Sequence, residues 1–431
     1  MDNAVDQYDN DNFSDGPQIS IAGYAETRLP APPLPPEFSA AGDRLGLKLL
    51  ALFLGILCLA IFVLDDFRSL GAVTLFISLA THMPYIIALL AKRACFIAQP
   101  HAPLADDMLP VYSVLIPVYD EANMMAQIAR SLAALDYPHY RLDVLILIEA
   151  DDRQTRQAAK RIAWPPFVRL LTVHADGPKT KTRACNFGLA HARGALVVVY
   201  DAEDQPHPRQ LRDAAARFHT APPDIACLQA PLIIDQTSND WLAAMFALEY
   251  RLLFTRFLPV LANFGCVIPL GGTSNHFRAD TLRALGAWDS HNLTEDADLG
   301  IRLAYFGYRT EMINPPTFEN APHGLKIFLR QRIRWQSGHI QTIAVHLRQP
   351  RRAVNSMGVF NYVFFMLVLM CRLTNPVAHI VLIACFAAAS ATTGTMTLSL
   401  MLISVIVYLL YFVLAYRALG EDRKHMRLIY L

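Results

Sequence analysis

The sequence predicts an α/β domain, a mostly parallel sheet with helices on both faces, set on the cytoplasmic side between transmembrane helices. Two observations carry this. Buried-type strands alternate with helices from residue 111 onward, and long apolar stretches lie on either side of that region. The strands are near-continuous runs of Val, Ile and Leu, as parallel strands covered on both faces must be.

In chain order, "VYSVLIPV" (111–118) reads as a strand, 121–135 as a helix, "LDVLILIEA" (142–150) as a strand and 153–163 as a helix. "VRLLTV" (168–173) is a third strand, 182–192 a helix, and "ALVVVYDAED" (195–204) a strand ending in acids. In such sheets ligands bind beyond the carboxyl ends of the strands. Two strands place carboxylates there: Asp151 and Asp152 after the second, and Asp201, Glu203 and Asp204 after the fourth.

Residues 45–64 and 70–90 are each about the twenty residues that cross a bilayer, and they read as a transmembrane hairpin. The first starts behind an acidic, proline-rich leader, which argues against a cleavable signal peptide. A second apolar block, 357–416, is broken at "CRLTNP" (371–376) and "ATTGTM" (391–396) into either two spans plus an interfacial helix or three spans. Lys92 and Arg93 at one border, with Arg348, Arg351 and Arg352 at the other, place the enclosed domain in the cytoplasm. The expected organisation is a disordered leader (1–44), the hairpin (45–92), the α/β domain (106–322) and an interfacial helical region (323–356). The C-terminal spans (357–417) and a basic tail (418–431) that starts a further span complete it.

Seven cysteines without a CxxC pair give no metal or disulfide framework, and a net charge of +1 offers nothing to nucleic acid. "DAED" (201–204) has two readings: acids that cap or are solvated, or carboxylates that hold a hard divalent cation gripping phosphate. "GPKTKTRACN" (177–186) brings Lys179, Lys181 and Arg183 to a helix start, either an anion site or an exposed basic loop. The paired glycines of "PLGGTSNHFR" (269–278) either admit close backbone approach or make a turn.

In "NLTEDADLGIRLAYFGYR" (292–309), Asn292 and Glu295 have the spacing of a capping box, and the acids of the first turn suit the helix dipole. That explains why acids are tolerated without singling one out. Further along, Gln331, Arg334 and Trp335 stand at i, i+3 and i+4 on one helical face, in a stretch that also reads as a basic helix on a membrane surface. Arg372 and Asn375 lie either at membrane depth, on a glycan path or lipid phosphate, or in a loop between spans.

Four motifs in order, Asp151/Asp152, "DAED" (201–204), "TED" (294–296) and "QRIRW" (331–335), resemble those of membrane-embedded processive glycosyltransferases of family 2, the group of cellulose, hyaluronan and chitin synthases. The resemblance covers about 106–350 with the flanking spans and is closest to cellulose-synthase-like exopolysaccharide enzymes. It implies a GT-A-type fold and an inverting, Mg²⁺- or Mn²⁺-dependent transfer from a UDP-sugar to a growing β-glycan at a bacterial inner membrane.

The resemblance also implies roles. Asp151 and Asp152 would recognise the uridine. Asp201 and Glu203 would hold the metal and donor diphosphate, with Lys179 assisting. Asp296, with Glu295 beside it, would be the general base. Gln331, Arg334 and Trp335 would close over the diphosphate, and Trp335 with Thr294 would face the acceptor. Glu203 stands where the family usually has Asp, which leaves Asp204 as a rival ligand. Partners implied are the donor, the glycan acceptor, membrane lipid and an envelope export protein. Two competing functions are single addition to a lipid phosphate or short glycan, and a catalytically dead sugar-nucleotide sensor.

Overall fold

The computed structural model describes residues 33–41, 67–90, 102–174, 179–235, 241–322 and 324–390, with 409, 413 and 417. The chain runs α1 (Phe67–Leu90), β1 (Tyr112–Val118), α2 (Met125–Ala133), β2 (Leu142–Glu149), α3 (Arg153–Lys160), β3 (Val168–Val173), α4 (Lys181–His191) and β4 (Leu196–Val199). It continues with β5 (Gln205–Pro206), α5 (Gln210–Thr220), β6 (Ile225–Gln229), β7 (Leu232–Asp235), α6 (Trp241–Leu252), α7 (Leu258–Asn263), β8 (Asn275–Arg278) and α8 (Ala279–Ala284). The last elements are α9 (Glu295–Tyr305), β9 (Arg309–Met312), β10 (Thr317–Asn320), α10 (Leu325–His346), α11 (Pro350–Met357) and α12 (Val359–Ser390).

Seven strands form one sheet in the order β3-β2-β1-β4-β8-β6-β9. The pairs β1–β2, β2–β3, β1–β4 and β6–β9 are parallel, whereas β8 runs antiparallel to both β4 and β6. The strands β1 and β2 are buried almost throughout, which is why each reads as an unbroken apolar run. One face packs on α4 and the region around α7 and α8, through Leu147, Leu189, Leu258 and Leu282; the other packs on α2 and α5, through Ile128, Ile146 and Leu211. A smaller sheet, β5-β10-β7, lies beside the end of β4.

Because β1, β2 and β4 are parallel, residues 119–121, 150–152 and 200–204 emerge at one edge. The antiparallel β8 starts there too, with Asn275 opposite Val199, so the glycine pair before it joins the same edge.

Several expectations change. The capping box does not form: the N-cap is Thr294, and Asn292 Oδ1 instead accepts from the Thr294 N–H at 3.0 Å. Asn292 stands two residues too early to cap, and its amide closes the turn that leads into the helix. The helix expected from 121 begins at Met125, after a turn. The strand expected over 195–204 stops at Val199, where the chain turns into the acidic loop.

The interruption expected at 371–376 is absent, since α12 continues through it as one helix. The expected leader is fixed in part: residues 33–41 lie against the domain, with Phe38 only 7% exposed. Residues 45–66, including the first expected span, and the second expected break at 391–396 lie outside the described residues. Among the described residues no single helix is long and apolar enough to cross a membrane; Pro350–Met357 and Val359–Thr374, bent by 118°, pass that test only together.

Candidate active site

The site lies at the carboxyl edge of β1, β2 and β4 and is closed by the first turn of α9. Lys181, the first residue of α4, forms an ion pair with Asp201 at 2.5 Å and donates to the Gly272 carbonyl. A Cβ placed on Gly272 would stand 3.8 Å from Asp296 Oδ2, so the glycine pair, the fourth-strand acids and the α9 acids share one pocket. Asp201, Glu295 and Asp296 all act on Lys181 and hold its ammonium above its usual range against the opposing effect of burial.

The three acids of α9 part company. Asp296 is pushed well above the usual carboxylate range by burial and by the adjacent Glu295 charge. Glu295 is raised by burial, while Lys181 and Arg334 pull it down. Asp298 is structural: with no exposed surface it pairs with the equally buried Arg302 at 2.8 Å and accepts from His346 Nε2 at 2.8 Å. Arg302 is completed by the Leu285 and Ala287 carbonyls, at 2.8 and 2.7 Å.

The fourth-strand acids are sorted in the same way. Asp204 is buried and accepts from the Asp201 N–H at 2.7 Å and from the Thr273 hydroxyl, so it shapes the turn; its second oxygen is buried without a hydrogen-bond partner. Glu203 is exposed, and burial of its carboxyl region together with the Asp201 charge raises it. Among the described residues no three carboxylates, imidazoles or thiols converge into a complete metal cage. Asp201 and Glu203 are hard oxygen donors open to the pocket, and they fit an ion that keeps waters and phosphate oxygens as its remaining ligands.

Asp151 and Lys179 pair with each other at the exposed rim, and that contact holds Asp151 below its ordinary range. Asp152 is committed elsewhere: it caps α3 through the Thr155 N–H at 3.0 Å and holds the Asp120 N–H at 2.6 Å. Arg183 is likewise withdrawn, paired with Glu149 at 2.5 Å.

Gln331 is half-buried with its amide oxygen unpartnered, and Arg334 is exposed, with its charge acting on Glu203 and Glu295. Trp335 lies against Phe246 and Tyr250, with ring centroids 6.3 and 6.4 Å away and the Arg332 guanidinium 4.9 Å over its ring. The Thr294 hydroxyl stands 3.0 Å from that of Thr342 on α10. Gly338 makes this approach feasible, because a Cβ there would fall 2.5 Å from Thr294 Cγ2.

Three residues escaped the sequence reading. Glu319, on β10, is pushed up to about 8 by burial and by Asp201 and Glu203. Glu121 feels the same two acids, and its carboxyl is raised by burial and by them. Tyr119 is 56% exposed at the rim with Lys179 Nζ 6.0 Å from its ring centroid. "YDE" directly after a buried strand repeats the signal that marked "DAED"; nothing local marks Glu319.

The profile for "Glycosyl transferase family group 2" matches residues 196–419, more than half of the chain, and that for "Glycosyl transferase family 2" matches 113–274. The chain belongs to glycosyltransferase family 2. A probable glycosyltransferase of Bacillus subtilis, YdaM, is 25% identical over 278 residues, 60% of this chain and 62% of its own. A probable glucomannan 4-beta-mannosyltransferase of Arabidopsis thaliana is 23% identical, over 67% of this chain and 54% of its own.

A beta-monoglucosyldiacylglycerol synthase of Synechocystis is 25% identical, over 59% of this chain and 53% of its own. The family 2 chain thus spans between 53% and 62% of the length of these curated relatives. The mannosyltransferase PcManGT of Pyrobaculum calidifontis, solved with GDP-Man and Mn²⁺, superposes with a TM-score of 0.57 at 20% identity, over 83% of this chain and 99% of that one. The fold is therefore of the GT-A kind that the motifs implied.

Proposed function

We propose that the protein transfers a sugar, with inversion, from a UDP-sugar to a growing β-glycan at a bacterial inner membrane, with its catalytic domain on the cytoplasmic side. The observation that carries this reading is the meeting of Asp201, Glu295 and Asp296 around Lys181, beside the open Glu203.

Asp296 takes the proton of the attacking hydroxyl. Burial and the adjacent Glu295 charge raise its affinity for a proton above that of an ordinary aspartate, the direction a general base needs, and its carboxylate faces the pocket beside Gly272. Glu295 holds charge beside it and sustains that shift. Lys181 and Arg334 supply positive charge to the departing diphosphate. Mg²⁺ or Mn²⁺, held by Asp201 and Glu203, supplies further neutralisation of that leaving group when bound. Tyr119 and the Asp151–Lys179 pair form the rim against which the nucleobase rests.

The aromatic cluster around Trp335 supports an acceptor sugar by stacking. Membrane attachment is supported by Trp241, Leu325, Ile327 and Ile333, each more than half exposed, with Lys326 and Arg330 among them. The same apolar rim favours a second reading, addition of a single sugar to a lipid acceptor, in line with the name of the Synechocystis relative, a beta-monoglucosyldiacylglycerol synthase.

Incubating the membrane-reconstituted chain with a panel of UDP- and GDP-sugars plus Mn²⁺, and sizing the product, separates these. A ladder of β-linked polymer from a UDP-sugar supports the proposal, a single added sugar on lipid supports the second reading, and no donor consumption contradicts both.

A further inference from the structure

Residues 33–41, "PLPPEFSAA", cross the surface as a strap that grips both ends of α9. At the entrance, Asp289 accepts from the Ser39 hydroxyl at 3.1 Å and from the Ala40 N–H at 2.6 Å. Asp289 lies seven residues before Asp296 (296 minus 289). Its other bonds already shape the entry loop, since Oδ1 accepts from the His291 N–H at 3.0 Å and its carbonyl accepts from the Asn292 N–H at 3.2 Å.

At the exit, the Phe38 ring meets Tyr305 edge-on at 5.0 Å and Phe306 at 5.5 Å. Beneath it Phe38 shares a core with Ile301, Ile343, Ala353 and Met357, which joins α9 to α10 and α11. Arg348, just past α10, donates to the Pro36, Glu37 and Ser39 carbonyls at 3.1, 3.2 and 2.8 Å.

The backbone is adapted to this contact. Gly286 has a φ of 77°, and a Cβ there would stand 2.9 Å from Leu34 Cα, so the strap lies where a side chain would collide. The strap also leads, four residues on (45 minus 41), into the apolar stretch at 45–64, so it joins that stretch to the helix bearing the acids.

We propose that the strap is a positioning element for the transfer reaction, with Phe38 as its pin: by clamping α9 at both ends against α10 it holds Asp296 in register with the pocket. Phe38 touches neither donor nor acceptor and acts through α9. This inference rests on the transferase reading for its catalytic consequence and on packing alone for its structural one.

The test uses the full chain in lipid nanodiscs and compares wild type with Phe38→Ala, Phe38→Leu and Arg348→Gln. Three readouts are taken: hydrogen exchange of the 292–300 amides, affinity for UDP with Mn²⁺, and turnover of the donor found active. In Phe38→Ala the expected result is faster exchange over 292–300, with turnover down about tenfold or more and UDP affinity within about twofold. Phe38→Leu should recover most of the loss, and Arg348→Gln should show the same signature more weakly.

Unchanged exchange over 292–300 in both Phe38→Ala and Arg348→Gln would overturn the strap, as would a parallel fall in UDP affinity and turnover. Should Phe38→Ala not fold, Arg348→Gln alone decides between these results. A wild type that consumes no donor yet shows the exchange contrast would remove the transferase reading while leaving the clamp supported.

Discussion

At the scale of single residues, the chemistry depends on how one protein gives different jobs to acids of the same type. Asp298 has no exposed surface and neutralises Arg302, whereas Asp296, two positions earlier, faces the pocket. Asp298→Asn should lower stability by about 3 kcal/mol or more, because it strips a buried guanidinium of its charge partner. Thermal melting checks this, and no change in melting would contradict it.

A pH dependence follows from Glu319, held at about 8 against an ordinary 4.5. A carboxyl raised in the fold binds its proton more tightly folded than unfolded. Its contribution to stability is complete below 4.5 and is lost as pH rises to about 8. A divalent cation entering the acidic pocket offsets that lost proton, so the rise in melting temperature caused by Mn²⁺ should be larger near pH 8 than near pH 6. Glu319→Gln should flatten the metal-free trend, which differential scanning fluorimetry across pH would reveal.

"DAED", "TED" and "QRIRW" were legible as motifs because their chemistry is local in sequence. The sorting of Asp152 into a cap and Asp204 into a turn was not, since it depends on Asp120 and Thr273, residues 32 and 69 positions away (152 minus 120, 273 minus 204). Glu319 was invisible for the same reason.

At the scale of elements, α10 is the part that brings the motifs together. Gly338 lets it touch the turn before Glu295, while Gln341 accepts from the Leu293 N–H at 3.0 Å and Thr342 meets both Asn292 and Thr294. Gly338→Ala forces a methyl into contact with Thr294 Cγ2 and should cut turnover about tenfold or more by displacing α9, with UDP affinity largely kept. Steady-state kinetics beside nucleotide titration would test it, and full turnover would refute the close approach.

The alternation of strand and helix up to β4 was readable from periodicity, since β1, β2 and β4 are buried along nearly their whole length and β3, partly buried at the sheet edge, still reads as an apolar run. The antiparallel β8 and the three-stranded sheet were not, because strand direction is set by partners far along the chain. The absent break at 371–376 is an instance of packing overriding a local signal. In that stretch the Arg372 carbonyl accepts from Gln336 at 2.8 Å, and its guanidinium reaches the Tyr85 hydroxyl on α1 at 3.4 Å.

At the scale of the whole molecule, the family 2 domain, the helices α1 and α12 and the strap form one set of contacts. Tyr85 of α1 stacks on Phe257 at 4.0 Å, so the helix preceding the catalytic domain in sequence is seated against it. The apolar stretches were obvious in composition, but the seating of the strap on α9 was not, because a proline-rich acidic leader carries no periodic signal. Attachment to a bilayer should follow the exposed apolar and basic rim of α10: Ile333→Asp should weaken flotation with anionic vesicles. Unchanged flotation, or none in the wild type, would contradict attachment through this rim.

The most direct measurement is donor turnover and UDP binding in Asp296→Asn, made in parallel on the reconstituted full chain with Mn²⁺. The expected result is a loss of turnover of about 10² to 10⁴ with nucleotide affinity nearly unchanged, because the substitution removes the proton acceptor and leaves Asp201, Glu203 and Lys181 in place. Transfer at the wild-type rate in that variant would contradict the assignment of the base and the mechanism built on it.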